Sequence, residues 1–399
     1  MLFLAALAVR VCVSPELMNF VVDYTAETGA FYEKLHFGTY AILGILPLML
    51  FSRPIYLAGH DIGRFKALLR YCALLVLLIV FLLVTGRASS SGFLIDTYLV
   101  AGAAGLIVLA MNPAMRSTVG DVLLSINIAS AVLAIFEAVT RTRIMPHVLN
   151  EEVFRPTGLA AHPLTLGMVC AASIGFVALT RWKNWVKVAT ILLLFVATAA
   201  AGARFALLLA GVEVLALLIL VPWTRLSPRH ERRAKFWTLL LTLGAGGALI
   251  AGLAAGGFLS RFSGGVVDEN FYARTDIYKI FDFVTWREIM FGTDLNGILE
   301  IVNEKLNLPF IESTPVYLIF LFGAPLALLF SVIVLWLFWR ILRHAPRAAW
   351  IGTATFMAAA LSNNTLSSKT PVVTIFVVLI LAYAGNATAT RSASAAPAK

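Results

Sequence analysis

The sequence predicts an all-α, polytopic membrane protein of about twelve transmembrane helices. Of its 399 residues, 60% are hydrophobic and 13% are charged, and the mean hydropathy is +0.89. Soluble domains contain roughly 45–50% apolar and about 25% charged residues, so lipid has to solvate the excess here. Apolar runs of about 20 residues, enough to cross a ~30 Å hydrocarbon core, recur along the chain. Backbone groups in lipid must pair within their own segment, which favours helices.

The apolar runs divide the chain into twelve predicted spans. Turn residues separate several of them, as at Arg53-Pro54, Asn112-Pro113 and Ala345-Pro346. The first run is short and contains Arg10, so it also resembles a poor signal peptide or a tilted anchor. The predicted spans are approximately 1–13, 37–52, 68–86, 93–112, 119–140, 157–180, 185–201, 204–222, 236–256, 313–339, 347–362 and 370–386.

The distribution of charge predicts the orientation of the spans. One set of alternate loops, together with the C-terminal tail, carries most of the basic residues and only three acids, Asp61, Asp121 and Glu231. By the positive-inside rule this side is cytoplasmic, and both termini lie on it. The rule also accounts for the net charge of +10, so we expect no nucleic-acid partner. The opposite loops contain most of the acids.

The predicted organisation has four parts. Residues 1–256 form an N-terminal bundle of about nine helices, and 257–312 form one long periplasmic loop. Residues 313–386 form the C-terminal spans, and 387–399 form a disordered cytoplasmic tail. The short cytoplasmic loops contain no glycine-rich nucleotide motif and the cysteines have no metal-binding spacing, so we expect neither a cofactor nor a metal.

Three arginines are predicted at the outer face, where the positive-inside rule disfavours a cation. Arg155 precedes a span, Arg204 begins one, and Arg274 lies in the long loop. The planar guanidinium group suits phosphate and pyrophosphate oxygens. The sequence therefore indicates a site for an anionic ligand at the outer membrane face.

Each arginine also has a purely structural interpretation. Arg155 has acids nearby at 151 and 152, and Arg274 has Asp276 and Asp282. On the structural interpretation, Arg204 extends its charged end to the interface between membrane and water. These alternatives remain open from the sequence alone.

Two further polar residues are possible site residues. His162 follows Arg155 by seven residues, and it is as well explained by capping or packing as by a site role. Glu213 lies in the middle of a span, where a carboxylate is either functional or protonated and bonded to a neighbouring helix. Glu137, near an outer helix end, has a weaker claim. In the long loop, the apolar spacing from Phe271 to Met290 predicts an amphipathic helix lying on the outer leaflet.

The order of these motifs resembles the O-antigen ligase and polymerase family. FRPTGLAAHPLTLG (154–167) is similar to its Arg-x-x-Gly and His-Pro-x-x-x-Gly pattern, and AGARFALLLAG (201–211) is similar to its Ser-Arg-x-x-x-Leu pattern. Here Ala203 replaces the small polar residue. The stretch from Arg274 to Gly292 resembles the arginine helix of the family's large periplasmic loop.

The resemblance implies a GT-C-like, metal-independent, inverting glycosyltransferase of the bacterial inner membrane. Its substrates would be undecaprenyl-pyrophosphate-linked glycans, and its other partners membrane lipids and a chain-length regulator. Arg155, Arg204 and Arg274 would bind the donor pyrophosphate, with Arg274 also catalytic. The position where the family's ligases carry histidine reads Phe310-Ile311-Glu312, so Glu312 is the candidate general base, unless its role is only to cap the helix that begins near Thr314.

We therefore expect a polymerase that joins lipid-linked repeat units into exopolysaccharide, capsule or O-antigen. One alternative is a ligase that transfers glycan to lipid A core or to protein. An alternative of another class is a transporter or flippase for lipid-linked oligosaccharide, although such proteins often contain internal repeats that are not apparent here.

Overall fold

The computed structural model describes residues 1–25, 31–52, 54–86, 91–146, 154–222, 227–255, 275–308, 310–311 and 313–385. Within these ranges the chain forms helices and no strand. We number the helices of six residues or more along the chain, apart from the 3₁₀ helix Ile277–Asp282. They are α1 Leu2–Cys12, α2 Phe37–Ser52, α3 His60–Val84, α4 Ser91–Ala110, α5 Pro113–Thr140, α6 Pro163–Val177, α7 Asn184–Ala200, α8 Arg204–Leu220, α9 Pro228–Ala255, α10 Trp286–Phe291, α11 Leu295–Leu306, α12 Thr314–Phe322, α13 Ala324–Leu342, α14 Arg347–Leu361 and α15 Val372–Tyr383.

Four of these helices are long and apolar enough to cross a membrane, judged by length and composition. They are α3, α4, α5 and α13, and shorter apolar helices include α1, α2, α6, α7 and α15. The predicted spans agree with the helices to within a few residues at most positions, with one break. The predicted span 313–339 is two helices, α12 and α13, because Gly323 between them has a φ of +84°. That prediction of one continuous helix was wrong.

Contacts group the chain into two compact units. The first unit contains Met1–Val119, Gly264–Arg343 and Ala360–Ala382, and the second contains Gly120–Ser263, His344–Ala359 and Tyr383–Lys399. Each unit is assembled from segments that are distant in sequence. The predicted tail, 387–399, lies outside the described residues.

The core of the first unit is built around α4, which is almost completely buried. Glycines on α4 allow close packing of its neighbours. A Cβ on Gly105 would lie 3.0 Å from both Leu68 of α3 and Val377 of α15. Larger side chains at this position would separate the helices, so the small residues of α4 determine the packing of this unit.

An ion-pair network at the predicted cytoplasmic end stabilises the same unit. Asp61 at the start of α3 pairs with Arg64 at 2.9 Å and with Arg116 at 2.5 Å. Arg64 also donates to the carbonyl oxygens of Ile341 and Arg343 near the end of α13. Both arginines are buried, and their remaining donors are used by backbone oxygens, which satisfies charges that would otherwise be costly to bury.

A second buried polar network surrounds Asp96 in α4. Its carboxylate accepts hydrogen bonds from Tyr24 Oη at 2.8 Å and from the backbone N–H of His36 at 3.1 Å. Arg10 donates to the Asp96 carbonyl oxygen at 2.8 Å. Arg10, the basic residue of the first predicted span, is therefore buried and hydrogen-bonded to α4.

His36, which precedes α2, has a neutral imidazole in this network. Gly38 N–H donates to Nδ1 at 3.0 Å, so the proton lies on Nε2, which is 3.0 Å from the Val13 carbonyl oxygen. Burial, followed by the nearby Arg10 guanidinium, lowers the pKa of His36 to about 4. The imidazole thus fixes the segment that joins α1 to α2.

The described part of the long loop forms a small hydrophobic core on α12. We call this the loop core: Ile277, Ile280, Ile298, Val302, Ile311, Val316 and Phe320. Phe281 stacks on Phe320 with ring centroids 5.6 Å apart. Ile277 and Ile280, which were predicted to face lipid on one long amphipathic helix, are instead buried in this core. The described residues there form a 3₁₀ helix, Ile277–Asp282, and the short helix α10.

Candidate functional site

The segment that carries Arg155 is fastened to the end of α5 by Glu137. The carboxylate of Glu137 accepts three backbone hydrogen bonds, from Ile144 N at 3.1 Å and from Thr157 N and Gly158 N at 2.9 Å. The side chain has 0% exposure. A buried carboxylate with several N–H donors forms charge-assisted hydrogen bonds, which are stronger than neutral ones. Glu137 therefore holds Ile144, at the end of the preceding described segment, and the residues that directly follow Arg155.

Gly158 completes this attachment. Its φ is +55°, and a Cβ there would lie 2.5 Å from the Ser130 carbonyl oxygen of α5. The next residue, Leu159, donates its N–H to Ser130 Oγ at 3.0 Å. The glycine of the Arg-x-x-Gly motif is thus required by backbone conformation and by the close approach of α5.

Arg155 itself is buried, and it connects its loop to the turn that precedes α8. Its Nε donates to the carbonyl oxygen of Ala201 at 3.0 Å. Ala201 lies three residues before Arg204, the first residue of α8, which is partly buried. The structure therefore brings together the two arginine motifs, which are separated by more than forty residues in the sequence.

The second glycine of the first motif contributes to the same junction. A Cβ on Gly167 of α6 would lie 2.5 Å from the Cβ of Ala203. Thr198 Oγ1 of α7 lies 3.4 Å from the Gly167 carbonyl oxygen. The absence of a side chain at Gly167 allows the turn before Arg204 to pack directly on α6.

His162 is the N-terminal cap of α6. Its Nδ1 accepts a hydrogen bond from Leu164 N at 3.1 Å, and Pro163 follows at the first helical position. Of the two interpretations that the sequence left open, the structure provides the capping contact. A cap of this kind satisfies one of the free N–H groups at a helix start.

Arg143 is a basic residue of this cluster that the motifs did not indicate. Its Nε and Nη2 donate to the Arg155 carbonyl oxygen at 3.2 and 2.9 Å. Its guanidinium carbon lies 5.2 Å from the centroid of the Phe154 ring, within cation–π distance. The available sequence signal was an arginine in a short outer loop, the same positional argument that indicated Arg155 and Arg204. We call Arg143, Arg155 and Arg204 the arginine cluster.

Glu213 lies apart from this cluster in the middle of α8. It is 1% exposed, and its carboxylate packs against Gly175 of α6 and Thr355 of α14. A Cβ on Gly175 would lie 2.6 Å from Glu213 Oε1. The surroundings of Glu213 are those of a polar contact between packed helices.

Arg274 and Glu312 lie outside the described residues. On either side of position 312, Ile311 is buried in the loop core, and Ser313 Oγ lies 3.3 Å from Tyr278 Oη. The predicted roles of these two residues stay predictions.

Comparisons of the chain with family models, with curated proteins and with solved structures give no match.

Proposed function

We propose that the chain is a polymerase that joins undecaprenyl-pyrophosphate-linked oligosaccharide repeat units at the periplasmic face of the bacterial inner membrane. The observation that carries the proposal is the hydrogen bond from Arg155 Nε to Ala201 O, at 3.0 Å. It joins the loop of one motif of the resembled family to the turn before the other, so Arg155 and Arg204 belong to neighbouring segments, and Arg143 contacts the same loop. The arginine cluster suits a pyrophosphate that gains charge as a leaving group.

In the proposed reaction, an acceptor sugar hydroxyl attacks the anomeric carbon of the donor glycan. The bond from that carbon to the pyrophosphate oxygen breaks, and undecaprenyl pyrophosphate leaves with its electron pair. Glu312 accepts the proton of the acceptor hydroxyl as general base. Attack opposite the leaving group inverts the anomeric configuration, and the arginine cluster with Arg274 stabilises the departing charge.

Substitution of the three predicted arginines tests this proposal. Loss of one charge-assisted contact to a leaving group typically reduces the rate about 10²–10³-fold. We expect each of three variants to leave single repeat units unextended: Arg155→Ala, Arg204→Ala and Arg274→Ala. Gel analysis of the surface glycan measures this. Lysine should restore little activity, because it lacks the bidentate geometry of arginine.

Arg287→Ala is the matched control, since Arg287 is an exposed arginine of the long loop outside the proposed site. It should give the wild-type ladder of chain lengths. All variants must accumulate in the membrane at the level of the unmodified protein. Full extension by any two of the three alanine variants would refute the pyrophosphate role of the cluster.

Glu312→Gln separates polymerase from ligase. The amide keeps the size of the side chain and loses proton acceptance. A polymerase variant should bind donor and leave single repeats unextended, while those repeats still reach their final carrier. Normal long chains retained on the undecaprenyl carrier would instead identify a ligase.

A further inference from the structure

The end of the loop core exposes a cluster of large apolar side chains. Phe283, Trp286, Met290 and Phe291 are 50%, 78%, 43% and 68% exposed. Trp286 and Met290 are four residues apart in α10, so they project from the same side of the helix. We call these four residues the apolar tip. Isolated exposed apolar residues are ordinary, but four within nine residues form a patch that indicates an interaction.

The apolar tip is fixed beside the start of α13. A Cβ on Gly323 would clash with the carbonyl oxygen of Met290, so the end of α10 packs directly on this turn. Thr293 N–H donates to the Phe320 carbonyl oxygen at 2.8 Å, just before the same turn. The capping box of Thr285 and Glu288 fixes the other end of α10. The tip is therefore held rigidly by the backbone near Gly323.

The length of α13 determines the depth of Gly323 in a membrane. Its 19 residues extend about 28 Å at 1.5 Å per residue, close to the ~30 Å of a hydrocarbon core. Arg340 and Arg343 lie at the other end of the helix, on the predicted cytoplasmic side. Gly323 is then at the outer boundary of the hydrocarbon, and the apolar tip is at that same level.

The surface of α13 below the tip is also apolar and exposed. Leu328, Val332, Leu335 and Trp339 are 67%, 52%, 56% and 50% exposed. Their spacing of three or four residues places them in one stripe along the helix. On a helix long and apolar enough to cross a membrane, such a stripe contacts lipid. The apolar tip adjoins the end of this helix, which favours lipid as its occupant over a second protein.

We propose that the apolar tip is an interfacial anchor, inserted among outer-leaflet phospholipids at the boundary between headgroups and acyl chains. Tryptophan favours this depth because its ring is apolar and its N–H is polar. The anchor attaches the loop core to the membrane surface. It differs from the predicted amphipathic helix, because Ile277 and Ile280 of that prediction are buried in the loop core. The inference does not depend on the proposed enzymatic activity.

Site-specific fluorescence in lipid nanodiscs tests the proposal. Cys12, Cys72 and Cys170 form no disulfide and are replaced by alanine first. Single cysteines, Trp286→Cys and Phe291→Cys, are then labelled with a polarity-sensitive fluorophore in the full chain. The nanodiscs contain phosphatidylethanolamine and phosphatidylglycerol, with or without a lipid that carries a nitroxide near its headgroup.

Glu304→Cys is the matched control, on the exposed side of α11 in the same loop. We expect the lipid nitroxide to quench positions 286 and 291 at least several-fold more than position 304. Aqueous iodide should show the opposite order. Iodide quenching of 286 or 291 equal to that of 304 would overturn the anchor.

A second measurement does not require a label at the tip. Trp286→Phe in the unlabelled chain removes one tryptophan. The fluorescence of the unmodified chain minus that of the variant is the difference signal, which belongs to Trp286, and its quenching by brominated lipid reports the depth of that side chain. We expect brominated lipid to quench the difference signal. An unquenched difference signal would also overturn the proposal.

Discussion

Removal of the Glu137 carboxylate should release the loop that carries Arg155. In Glu137→Ala, the backbone N–H groups of Thr157 and Gly158 lose their acceptor in buried positions, and that of the exposed Ile144 loses it where water can replace it. An unsatisfied buried donor costs roughly 1–3 kcal/mol. The two buried donors give about 2 kcal/mol even at the lower limit of that range. We therefore expect a large loss of stability in the second unit.

Glu137→Gln is the informative partner of this variant. Thr157 N and Gly158 N share one carboxylate oxygen, whereas Ile144 N uses the other. The amide oxygen of glutamine can retain the shared pair, and its NH₂ group would face Ile144 N. Because Ile144 is exposed and water can reach its N–H, we expect a loss of no more than about 1 kcal/mol, and a smaller reduction of glycan extension than for alanine.

Thermal unfolding in detergent, followed by tryptophan fluorescence, measures both variants. Hydrogen exchange of the 154–160 segment should increase in the order wild type, Glu137→Gln, Glu137→Ala. Ser130→Ala removes a single acceptor, that of Leu159 N, and is the matched control for one lost bond. If Glu137→Ala unfolds at the wild-type temperature with unchanged exchange, the role assigned to this carboxylate is refuted.

Three further predictions concern backbone, pH and topology. Gly158→Ala should destabilise by more than ~1 kcal/mol through its positive φ and the contact with Ser130, as measured by thermal unfolding. The pKa of His36 is about 4 in the folded chain and about 6.5 in the unfolded chain. The unfolded state thus binds the extra proton first, and stability should fall by about 3 kcal/mol as pH drops from 6.5 to 4. His36→Asn should abolish that pH dependence, and an unchanged slope would contradict the assignment. An impermeant maleimide on intact cells should label Glu304→Cys and not His230→Cys; the reverse pattern would invert the predicted orientation.

Two features of the candidate site, the role of Glu137 and the presence of Arg143, were not predicted from the sequence. Arg155 and Arg204 were identified because a cation is disfavoured at an outer helix end, which is a property of each residue alone. The role of Glu137 depends on three N–H groups up to 21 residues away along the chain. An acid near an outer helix end does not by itself indicate which loop it holds. Arg143 had the same positional signal as Arg155 and Arg204, but its contact with the Arg155 carbonyl oxygen is made only by tertiary structure.

The helical character of the chain and the approximate bounds of its apolar segments were determined by the sequence. Lipid requires each segment to satisfy its own backbone, so local hydropathy is sufficient to locate a helix. Tertiary structure decided the break at Gly323 and the burial of Ile277 and Ile280. Helical spacing groups apolar residues on one side of a helix but does not say whether lipid or protein covers that side. The loop core competes with the membrane for the same apolar surface, and only the packing of distant segments resolves that competition.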